Sequence, residues 1–71
     1  MKFILTLQIC SSLLQTCMPP ITIDNVFDSW FSCGSEGYKS AYEINQRLGK
    51  EEVNKMKTYV RFHCKKAGID S

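Results

Sequence analysis

Four cysteines in a chain of 71 residues constrain this sequence more than any other feature. Below about 70 to 80 residues one hydrophobic core rarely supplies more than about 3 to 5 kcal/mol, so small domains add cross-links, a metal or a partner. Cys10, Cys17, Cys33 and Cys64 leave gaps of six, fifteen and thirty residues, without the close pairs that structural zinc sites use. His63 adjoins Cys64, but neighbours on a strand point to opposite faces, so the pair suits neither a metal nor a thiol nucleophile and its base. The reading is therefore no metal, no cofactor and no enzyme. Disulfides account for an even number of cysteines best, and four reduced, buried thiols are the alternative.

Where the cysteines lie suggests their pairing. Phe3, Leu5, Leu7 and Ile9 alternate with Thr6 and Gln8, the pattern of a half-buried strand over residues 2–10 that ends at Cys10. A helical stripe through Phe3, Leu7, Cys10 and Leu14 also fits, and so does a signal peptide over residues 1–16 with Lys2 as its basic start. Pro19 and Pro20 interrupt the uncharged run from Phe3 to Ile23, leaving it short for a membrane-spanning helix. They also force an extended path through "CMPPITID", where Ile21–Ile23 offers a third strand.

Beyond the prolines the period changes. Val26, Trp30, Cys33, Gly37, Ala41, Ile44 and Leu48 recur at steps of three and four, which predicts one helix within residues 24–48. Thr22, Asp24 or Asp28 would cap its start, Gly49 would end it, and Glu43 and Arg47 would pair on its outer side. "KEEVNKMK" reads as a helical turn or loop. "TYVRFHC", residues 58–64, is rich in β-branched and aromatic types and predicts a last strand. Its face with Val60, Phe62 and Cys64 turns toward the helical stripe, which predicts a Cys33–Cys64 bond and leaves Cys10–Cys17 as the second.

The expected fold is α+β: one domain over residues 1–71, β-α-β, with a helix packed through Val26, Trp30, Ala41, Ile44 and Leu48 on a two- or three-stranded sheet. If the two main strands pair directly as a crossover unit, they run parallel. A second subunit could complete the sheet. Trp30, Phe27, Phe31, Tyr38, Tyr42, Tyr59 and Phe62 are expected to supply much of the burial.

Net charge is only +2, but residues 53–66 carry Lys55, Lys57, Arg61, Lys65 and Lys66 with no acid. Tyr59, Arg61, His63 and Lys65 share one strand face, with Lys57 and Lys66 nearby, a pattern compatible with single-stranded nucleic acid or another polyanion and equally with a solvated strand face. The leading expectation is a protein-binding accessory protein, free or on a particle. A membrane-active peptide using residues 3–18 is the third. Disulfides imply an oxidising setting, reached by secretion or by release on lysis.

"MKFILTLQIC", "TCMPP", the spacing from Cys33 to Gly37-Tyr38, "EEVNK" and "YVRFHC" together resemble short, functionally unassigned proteins of marine bacteriophages. That resemblance implies a viral or host origin and small size. It transfers no functional residue.

Overall fold

A computed structural model describes residues 2–67 of the chain. The order is β1 (Phe3–Ser11), β2 (Thr16–Cys17), β3 (Ile21–Phe27), α1 (Trp30–Leu48), α2 (Lys50–Met56) and β4 (Thr58–Lys66). It is a single α+β domain in which β1 is the central strand. β4 pairs antiparallel along the whole of one edge of β1, from Phe3↔Lys66 to Ser11↔Thr58, in unbroken register. β2 and β3 share the other edge. Cutting the chain after residue 16 would remove the strand on which every other strand pairs. The stretch 3–18 forms strands and a turn rather than an inserted helix, and no helix among the described residues is long and apolar enough to cross a membrane.

The third strand is present and longer than Ile21–Ile23, because β3 runs on to Phe27. Val26 therefore leaves the helical stripe: it lies opposite Ile4 in the sheet, exposed on the face away from α1. Its match to a three-and-four spacing is fortuitous, since extended β-branched residues can satisfy the same count. The helix starts at Trp30, capped by Ser29, whose backbone is extended and whose hydroxyl oxygen accepts the Ser32 N–H at 3.0 Å. Thr22 and Asp24 lie inside β3, and Asp28 precedes the cap, so none of the three predicted caps is used. Gly49 ends α1 at φ 90°, a conformation that favours glycine, and its N–H returns to the Asn45 carbonyl. Lys57 in the left-handed region then ends α2 and starts β4.

Strand direction also differs from the crossover expectation. β3 returns antiparallel to β1 before α1 begins, so β4 comes back antiparallel to β1 as well. The crossover through α1 therefore joins β3 and β4, parallel to each other with β1 between them. The hairpin created by Pro19 and Pro20 is what inserts that extra reversal.

Helix and sheet meet over Leu5, Cys33 and Cys64, with Phe3, Ile23, Phe27 and Phe62 packed around them. The structure joins Cys33 to Cys64 and Cys10 to Cys17, as the faces of the elements predict. Two disulfides place the folded protein in an oxidising setting. At Gly37 the backbone of α1 rests on the Phe62 ring, where an added methyl would overlap it. Ala41, Ile44 and Leu48 are half-buried, continuing the same stripe.

Candidate binding surfaces

Alternation sorts β4 into two sets of side chains. Val60, Phe62 and Cys64 turn toward α1; Tyr59, Arg61, His63 and Lys65 stand on the uncovered face, level with Cys10, Gln8, Thr6 and Ile4 of β1. The structure thus brings together four of the six candidate polyanion residues. Lys66 belongs to the other face, opposite Phe3, and Lys57 turns back so that its Nζ donates to the Asn54 carbonyl at 3.0 Å. A shallow, polar depression of about 150 Å³ lies beside Arg61 and His63, bordered by Thr6, Gln8 and Pro20. His63 faces away from Cys64, and the four cysteine sulfurs are taken up in two separate disulfides.

The backbone of β4 adds a feature that side-chain patterning does not reveal. Ser12 N–H donates to Lys57 O and Ala67 N–H to Lys2 O, both at 2.9 Å. These two bonds set the phase of the antiparallel ladder, in which a residue's N–H and C=O point to the same side and alternate along the strand. Tyr59, Arg61, His63 and Lys65 are bonded inward to β1. Val60, Phe62 and Cys64 direct their N–H and C=O outward, to an edge where no other described strand pairs.

Beside that edge runs one flank of α1. Phe31, Gly34, Tyr38 and Tyr42 follow each other at steps of three, four and four, adjoining the buried stripe. Phe31 is 81%, Tyr38 73% and Tyr42 65% exposed, so these aromatics do not supply the burial expected of them. Trp30, at 62%, covers Phe3 edge-on at a centroid distance of 5.6 Å, and Tyr38 meets Phe62 likewise at 4.9 Å. Between flank and strand lies a groove of about 220 Å³ lined by Trp30, Gly34, Tyr38, Phe62, His63 and Cys64. Nothing lies within 4 Å of where a Cβ on Gly34 would sit, so the groove floor is open there. A sequence signal for this flank exists: its positions are one residue off the stripe that includes Trp30, Gly37, Ala41 and Leu48.

A second opening, of about 290 Å³, lies at the far end of the molecule, where Ile9, Leu14, Met18, Leu48 and Met56 meet around the Cys10–Cys17 bond. Ser11 Oγ donates to the Met56 carbonyl at 2.7 Å and fixes β1 to α2 there. Charge pairing is sparse. Among the described residues the ion pair is Lys2–Asp28, on the surface, while Glu43 and Arg47 do not close the pair expected of them. The Lys2 ammonium, by its hydrogen bond first and its charge second, holds the Asp28 carboxyl below the ordinary aspartate value. The chain matches no protein-family model, no curated protein and no solved structure.

Proposed function

We propose that this chain is a small protein-binding module that works in an oxidising setting, after secretion or release on lysis. The observation that carries the reading is the aromatic flank of α1 set beside an unpaired strand edge. Contiguous exposed aromatic surface is costly in water, and Tyr, Trp and Phe are enriched where proteins meet. Both elements that bear it are held rigidly, since the Cys33–Cys64 bond ties α1 to β4. A pre-ordered surface loses little conformational freedom on binding.

The test is a photo-activated cross-linker placed at Phe31 or Tyr42, and as a control at Lys39 or Arg47 on other sides of α1. A recurring protein adduct from the first pair and not from the second supports the reading. Equal labelling from all four positions overturns it.

A second reading has its own observation. Tyr59, Arg61, His63 and Lys65 form one row on the uncovered face, where an aromatic ring and cations could meet bases and phosphates. Titration with single-stranded nucleic acid at several salt concentrations tests it: phosphate contacts require affinity to fall steeply as salt rises. Binding that is absent, or insensitive to salt, removes this reading.

A further inference from the structure

We infer that the outer edge of β4 accepts an extended acidic segment of another protein as an additional strand, in which acidic and apolar residues alternate. This rests on the protein-binding reading and specifies its partner and its geometry. The donors and acceptors are in place: Val60, Phe62 and Cys64 present their N–H and C=O groups outward in the spacing of an antiparallel or parallel ladder. The strand that offers them is stiff, paired to β1 over nine residues and bonded to α1 through Cys64.

Side chains of an added strand would fall alternately on two surfaces of opposite character. On the uncovered face they would lie beside Tyr59, Arg61, His63 and Lys65, a row with no acid in it. Carboxylates suit that side. On the α1 side they would enter the groove beside the Tyr38–Phe62 ring pair, over the bare backbone of Gly34. Valine, leucine or phenylalanine suit that side. The chemistry recognised is therefore acid at every second position and apolar at those between.

Charge also disfavours a second copy of this chain at the same edge. Two β4 strands related by a two-fold axis at Arg61 would set that residue against its own copy, and an axis at His63 would set Arg61 against Lys65. Like charges directly opposite in a sheet are unfavourable. Basic edge residues are a common guard against self-pairing, and an acidic strand is the one partner that turns the guard into an attraction.

The experiment uses the whole oxidised chain and three synthetic peptides of nine residues. One alternates glutamate with valine and phenylalanine; one has the same composition with the glutamates grouped together; one alternates lysine in place of glutamate. Binding is followed by NMR amide shifts and by amide hydrogen exchange. The expected result is that the alternating acidic peptide binds, the other two do not, and the outward amides of Val60, Phe62 and Cys64 become protected while those of Tyr59 and Arg61 change little. Val60→Pro removes one outward N–H without touching the ladder to β1, and is expected to weaken the peptide about tenfold, the loss of about one backbone hydrogen bond. Arg61→Glu with Lys65→Glu leaves the edge intact and is expected to transfer preference to the lysine peptide, which keeps the test informative should Val60→Pro fold poorly.

Equal binding of the alternating and grouped peptides would overturn the inference, as would failure of all three. Single-stranded oligothymidylate that binds without protecting the outward amides, and displaces the acidic peptide, would also overturn it and favour polyanion binding by the face. Loss of the peptide result with retained labelling at Phe31 and Tyr42 would separate failure of the strand-addition geometry from failure of the protein-binding reading itself.

Discussion

The two edges of β1 are built differently. On one side β4 matches it residue for residue over nine pairs. On the other the chain returns in two pieces: the pairing slips by one residue between Cys17 and Ile21, where Met18-Pro19-Pro20 intervenes, and by two more between Thr22 and Val26. Proline lacks the N–H that a continuous ladder needs, so the first slip follows from the sequence. The core lies with the regular edge, because α1 is bonded to β4 and rests on Phe62. Ile21 and Val26, on the irregular edge, stay half exposed. A chain with so little apolar surface to bury secures one strand pair thoroughly, and the strand it secures is also the one whose outer edge is open.

The largest test of that contrast compares the two disulfides. Cys33–Cys64 spans 31 residues and Cys10–Cys17 spans seven. In the chain-entropy account, replacing the first pair by alanine costs about 3 to 4 kcal/mol and the second about 2 to 3. Cys33 and Cys64 both sit in the core, so their loss leaves a larger void, whereas in the second pair only Cys10 is buried and Cys17 is exposed. Urea unfolding of the double variants should therefore show the Cys33→Ala, Cys64→Ala protein much the weaker, near or beyond its limit of folding. The opposite order would mean that the hairpin, and not the helix–β4 contact, carries the fold.

Next in size is a pair of like substitutions with opposite signs. Gly37→Ala drives a methyl into the Phe62 ring, and overpacking of this kind costs about 1 to 3 kcal/mol. Gly34→Ala meets nothing and should stabilise α1 by up to about 1 kcal/mol through helix propensity. Thermal melts of the two variants should move to opposite sides of the parent. Equal shifts would show that α1 does not press on β4 at Gly37.

A finer comparison runs along β1 itself. Its even-numbered residues, Ile4, Thr6, Gln8 and Cys10, bond to β4, and its odd-numbered ones face the broken return strand. Hydrogen exchange should alternate with a period of two, the N–H groups of Thr6, Gln8 and Cys10 exchanging more slowly than those of Leu5, Leu7 and Ile9. Uniform protection would place the two edges on an equal footing.

Much of this was legible in the sequence. Alternation in Phe3–Cys10 and Thr58–Cys64 assigned each side chain a face, and faces were enough to pair Cys33 with Cys64. Periodicity was silent on two matters. Val26 satisfied a helical spacing while extended, because a three-and-four count cannot tell a helix position from a strand residue that happens to precede it. The exposure of Phe31, Tyr38 and Tyr42 was hidden by their chemistry: aromatic residues suggest burial, and only their position one residue off the stripe of α1 places them on its flank. The open edge of β4 was least legible, since it depends on backbone phase and on which strands pair, neither of which has a side-chain signature.

The smallest expected effect lies on the irregular edge. Lys2 and Asp28 join the approach to β1 with the turn between β3 and α1, and both are largely exposed. The bonded ammonium lowers the Asp28 carboxyl in the folded state, so the pair's contribution is present above the unfolded aspartate value and is lost as pH falls through the lowered folded one. Exposed pairs contribute little and are screened by salt. An NMR titration should find the Asp28 midpoint below that of an ordinary aspartate, Lys2→Ala should return it upward, and neither Lys2→Ala nor Asp28→Asn should shift the melting temperature measurably at physiological salt. A measurable shift would mean that the β3 edge is held at its end far more firmly than its broken register implies, and the contrast between the two edges would narrow accordingly.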